Sequence, residues 1–188
     1  MADLLPLPGF TDPVSSLSHL AGAAVFAALT PALLRRGRSA GDAPGPRARR
    51  TLALGIFGAS AVGLLSLSGV FHLLAREGPA RAVLQRLDHA AIFVLIAGTF
   101  TPIQTILFRG RWRWGMLAFV WTLAALGVSL KSIYFTAIPF GVGVALYLGM
   151  GWIGALSVIA IVQPCTWAWA GSGPYPSSPS SAGAGRGL

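Results

Sequence analysis

Residues 51–74 run for 24 positions without one acidic side chain, lysine or arginine, and a stretch of that kind has few ways to fold. An α-helix rises about 1.5 Å per residue, so roughly 20 apolar residues cross a hydrocarbon layer about 30 Å thick. Residues 13–34, 90–108, 114–130 and 139–162 share the apolar character. Hydrophobic residues are 54% of the 188 and charged residues 10%, where soluble domains carry about a quarter charged. The sequence therefore predicts an all-α fold: a polytopic transmembrane helix bundle of about five spans, with the lipid bilayer as its first partner.

The formal net charge of +9 is placed between the apolar runs rather than on one soluble face. Arg35, Arg36, Arg38, Arg47, Arg49 and Arg50 cluster in one region, and Arg109, Arg111 and Arg113 in another. This placement suits anionic lipid headgroups and argues against nucleic acid as a partner. With five spans, ten of the fourteen basic residues fall on one side and four on the other, which favours an outside N terminus and a cytoplasmic tail. The first dozen residues hold Asp3, Asp12, Pro6 and Pro8 and no basic residue, unlike a cleavable signal peptide, so the first span is expected to be retained. Cys165 is the one cysteine and has no internal disulfide partner. Residues 164–188 turn to Gly, Ser, Pro and Ala and read as a disordered tail after a membrane domain at 10–163.

Within the spans, Gly55, Gly58, Gly63 and Gly69 let neighbouring helices approach closely, and Pro102 is expected to kink the third near residues 98–101, with hydroxyls or neighbouring helices meeting the freed backbone groups. Ionisable groups at membrane depth are costly and therefore informative. The three histidines are His19, His72 and His89, all at or near helix ends. Ser68 and His72 are four apart and share a helix face, and Asp88 opens the third span after a short loop. Ser68, His72, Asp88 and His89 can thus meet at one side of the bilayer. Such a set suits zinc, which binds imidazole and carboxylate and lowers the pKa of its water to about 7, but a catalytic site needs three protein ligands. The same residues also fit plainer roles: an interfacial imidazole bonded to a carbonyl, an N-cap aspartate beside Arg86, a serine bonded one turn back.

The linked segments Asp12-Pro-Val-Ser-Ser-Leu-Ser-His19-Leu-Ala-Gly22, Ser68-Gly-Val-Phe-His72, Arg86-Leu-Asp88-His89-Ala-Ala-Ile92, Ala97-Gly98-Thr-Phe-Thr101-Pro102 and Tyr147-Leu-Gly-Met-Gly-Trp152 resemble, in order and spacing, the hemolysin III family, the bacterial branch of the progestin and adipoQ receptors. The resemblance covers about residues 10–163. It implies a seven-helix bundle in a bacterial inner membrane, with a zinc site near one face and a ceramide-like amide as lipid substrate. Carried over, His72 is a zinc ligand, Ser68 its motif partner, Asp88 the carboxylate orienting the metal's water, and His19 and His89 structural or supporting. Receptors of the wider family have cytoplasmic N termini, opposite to the arginine count, so the orientation stays open.

The family's other two ligands are a histidine pair four apart in the seventh helix, and no histidine follows His89. The expectation is a C-terminally truncated form, by a shifted reading frame or as a genuine short form, with an incomplete site and no hydrolase activity of its own. The competing class is a non-enzymatic membrane protein, either a lytic, pore-forming factor or a structural partner; a small transporter is a weaker third. The oligomeric state is left open.

Overall fold

Proline and glycine decide where these helices begin. Helix α2 (Pro44–Leu73) and helix α3 (Pro79–Leu107) each carry proline in the first two helical positions, where its missing N–H costs nothing and its fixed φ suits the helix. Gly78, just before α3, has φ 143°, and Gly110, which opens helix α4 (Gly110–Ile133), has φ 64°. Both are in the region that glycine enters without strain. Helix α1 (Pro13–Ser39) precedes them and helix α5 (Phe140–Ala170) follows. The computed structural model describes residues 12–39, 43–74, 78–108 and 110–170. The segment expected as a tail therefore lies outside the described residues from 171 onward, while residues 164–170 belong to α5.

The described residues are all-helical, and α1 to α4 are each long and apolar enough to cross a membrane. In α5 the apolar stretch Gly141–Leu156 lies within the apolar run 139–162 of the sequence. The helices also overrun the apolar spans. Helix α3 begins eleven residues before position 90 and takes in Arg81, Gln85, Arg86 and Asp88, and α2 begins seven before position 51. Polarity marks where the hydrocarbon ends, but a helix can continue through the headgroup layer with long side chains reaching water.

Helices pack on their neighbours in sequence, α1 on α2, α2 on α3 and α3 on α4. This up-and-down order puts the starts of α1 and α3 and the ends of α2 and α4 at one membrane face. All three histidines lie there, and Arg35, Arg36, Arg38, Arg47, Arg49, Arg50, Arg111 and Arg113 lie at the other. We call these the histidine face and the arginine face. The chain divides into two compact units, one ending at Trp152 and one beginning at Ile153; the described backbone of the second is the helical stretch 153–170.

In the first unit, Phe93, Ala97 and Phe100 of α3 pack with Val120 and Ala124 of α4 and Met150 of α5. Leu29, Leu126 and Leu148 instead leave more than half of their surface exposed, an outward apolar face that lipid solvates. Close approach depends on missing side chains at two crossings. A Cβ on Gly98 would collide with the Ser60 hydroxyl across α2 and α3, and one on Gly127 would meet Phe93 at 2.5 Å.

Pro102 sits inside α3. Around it Thr99 donates to Leu95 O and Thr101 to Ala97 O, both at 2.8 Å, and Thr105 donates to Thr101 O. The indole of Trp121 donates to the Thr101 hydroxyl at 3.1 Å. Hydroxyls thus crowd the proline turn, and one of them ties α3 to α4.

Candidate functional site

The histidine face is assembled from ends of helices, where backbone groups lack helical partners. At the start of α1, the Asp12 amide donates to the His72 carbonyl at 3.2 Å and the Ser16 hydroxyl to Gly69 O at 2.9 Å. Ser16 is fully buried. These two bonds fix the beginning of α1 against the last turn of α2.

They also bring side chains together. The Asp12 carboxylate oxygen Oδ2 is 3.4 Å from Nδ1 of His72. A carboxylate only accepts, so this bond places a proton on Nδ1, and in the neutral imidazole Nε2 then keeps the lone pair. Carboxylates hold metal-ligating and catalytic imidazoles in the same manner. The His19 ring lies beside it, with centroids 5.5 Å apart, and His19 Nδ1 is buried with no hydrogen-bond partner.

Arg81 of α3 closes the cluster. Its Nη1 donates to the carbonyls of Leu74 at 2.5 Å and Phe71 at 3.3 Å, Nη2 is 3.8 Å from Asp12, and the guanidinium lies 4.5 Å over the Phe71 ring. One side chain thereby terminates α2, faces the carboxylate that orients His72, and stacks on the residue before it.

Of the residues singled out by sequence, Ser68 is buried one turn before His72. Asp88 is buried in α3. His89 donates from Nδ1 to Gln85 O at 2.8 Å, meets Phe135 edge-on at 5.3 Å, and its carbonyl accepts from the Tyr147 hydroxyl at 3.1 Å. The structure thus joins His72 to Asp12 and His19, while His89 engages α5 through Tyr147. Asp12 and Arg81, not singled out for this site by sequence, were the partners missed. Lys131 was missed too: it is 4% exposed, with Nζ 5.5 Å from the Phe135 ring.

Zinc needs at least three protein donors in a catalytic site. His72 and the orphaned nitrogen of His19 offer two imidazoles side by side. Among the described residues, however, no three His, Cys, Asp or Glu side chains stand close enough to share an ion. These residues do not fit a zinc site by themselves.

A family model described as Haemolysin-III related matches residues 10–171. The chain belongs to the haemolysin III-related family. Hemolysin-3 of Bacillus cereus is 33% identical over 117 residues, covering 62% of this chain and 51% of that protein. A Hemolysin-3 homolog of Bacillus subtilis (strain 168) is 35% identical over 103 residues, covering 55% of this chain and 47% of that one. The chain thus spans about half the length of the curated relatives it matches. With its apolar helices, this family membership makes it a multi-pass bacterial membrane protein.

Proposed function

We propose that the histidine face is one part of a hydrolase-like site for a lipid amide, and that this stretch of chain does not complete a zinc centre there. The reading is carried by the Asp12–His72 pair at 3.4 Å with the unpartnered His19 nitrogen beside it: one oriented imidazole and a second at its side, one donor short. Zinc in a complete site would polarise the amide carbonyl and activate water. The residues here supply orientation, with Asp12 fixing His72 and Arg81 holding the carboxylate. Asp88 and Ser68 are proposed to line the same face, and the inner membrane is the proposed location.

Metal analysis of chain purified without chelators tests this. The expected zinc content is well below one equivalent and is unchanged in His72→Ala. A full equivalent that disappears in His72→Ala and falls in Asp88→Asn would overturn the proposal and restore a complete site.

A second reading, a lytic factor, is favoured by the name Hemolysin-3 that both relatives carry. It predicts dye release from liposomes that survives His72→Ala. We expect no release, because residues 51–74, 90–108 and 114–130 carry no charged side chain between the two faces, where a water-filled pore requires a polar lining.

A further inference from the structure

At the arginine face a cleft of about 730 Å³ opens between the end of α1 and the start of α2, within the range of roughly 300–1,000 Å³ usual for small-molecule sites. Its lining is graded. Arg38, Arg47 and Thr51 are at the outer end, and Leu34, Ile56 and Ala59 continue inward. From Arg47 to Ala59 the lining follows one face of α2 over about three turns, roughly 18 Å, so the cleft runs from the headgroup layer into the hydrocarbon.

Gly55 keeps the cleft open. A Cβ there would sit 3.7 Å from Leu34 Cδ2, an ordinary contact, so helix packing does not demand a glycine at this position. The missing side chain leaves room along the wall instead. Two guanidinium groups at the mouth suit a phosphate, which arginine binds in a planar, two-pronged fashion. The apolar wall below suits a hydrocarbon chain. Positive charge, depth and shape together match an amphiphile with an anionic head and an apolar tail.

We infer that this cleft is a binding site for one anionic phospholipid, its phosphate at the Arg38 and Arg47 end and one acyl chain along Leu34, Gly55, Ile56 and Ala59. The inference stands apart from the proposed hydrolase-like site, which is at the opposite face. Headgroup charge is read at the mouth, and chain length is read along α2.

Native mass spectrometry of the full chain, with phosphatidylglycerol and phosphatidylcholine of identical acyl chains, tests it. One phosphatidylglycerol is expected to be retained in preference to phosphatidylcholine. Each arginine at the surface of an anionic bilayer contributes attraction equivalent to about fivefold in affinity, so Arg38→Gln with Arg47→Gln should weaken retention about thirtyfold. Arg35→Gln with Arg111→Gln removes the same charge from the same face outside the cleft and should leave retention within about threefold. Gly55→Leu keeps both arginines but fills the wall, and it should also release the lipid. Circular dichroism verifies that each variant is folded.

Three results would overturn the inference: equal retention of both lipids, equal loss in the two double variants, or unchanged retention in Gly55→Leu. Competition by millimolar inorganic phosphate would also overturn it, because the phosphate alone would then account for binding. A dimer dispersed by Gly55→Leu, with no lipid preference, would assign the cleft to a second copy of the chain and likewise end the proposal.

Discussion

Arg81→Ala is expected to destabilise the bundle by about 3–5 kcal/mol, measured as a shift in detergent-induced unfolding. Hydrogen bonds to a charged group contribute about 1.5–3 kcal/mol each, and Arg81 makes two of them to the carbonyls that end α2. Its side chain is 16% exposed, so water does little to replace it. The substitution also leaves Asp12 facing His72 without the guanidinium that neutralises it. Arg81→Lys keeps the charge but loses the fork that reaches two carbonyls, and should recover less than half of the loss. Arg86→Ala, exposed on the same helix, should remain within about 0.5 kcal/mol of the original. A loss below about 1 kcal/mol for Arg81→Ala would place it among ordinary surface pairs and refute its role as the clasp of α2.

Gly98→Ala should cost about 2–3 kcal/mol, and Ser60→Gly should recover most of that in the double variant. The added Cβ would overlap the Ser60 hydroxyl and stand 2.9 Å from Ser60 Cβ, while Ile56 O at 3.6 Å tolerates it. The obstruction is therefore one side chain rather than backbone. Removing that side chain makes room, although Ser60 also donates to Phe57 O at 2.8 Å and glycine in a helix costs about 1 kcal/mol by itself. Thermal unfolding of the two single variants and the double variant in one detergent measures the coupling. Additive losses would mean that α2 and α3 relax apart here and that the crossing is not set by this pair.

The bundle could be read from the chain because membrane helices are written in long uncharged runs, and residues 51–74 needed no tertiary information to be assigned. Helix ends were less legible. Arg81, Gln85, Arg86 and Asp88 look like a break in hydropathy, yet nothing in their backbone chemistry stops a helix that Pro79 has started. The partners at the histidine face were hidden for another reason. Asp12 and His72 are 60 positions apart, and an aspartate before a proline reads first as helix-start chemistry. A usable signal was nevertheless present. Along α1 and α2, Ser16 meets Gly69, Thr30 meets Gly58 and Gly37 meets Leu54, each step down one helix matched by a step up the other. Pairing α1 and α2 antiparallel in this register brings Asp12 to His72. Lys131 offered no comparable hint, since a lone lysine at the end of a span is ordinarily a snorkelling one.

Neighbour-on-neighbour packing also bears on how the protein is made. When α2 enters the bilayer, the surface it packs against is already there in α1, and α3 and α4 find theirs in turn. The bonds from Ser16 and Asp12 to the end of α2 close as soon as that second helix is complete, with no wait for later chain. Synthesis and assembly can therefore advance together, one hairpin at a time, in the order of the helices along the messenger.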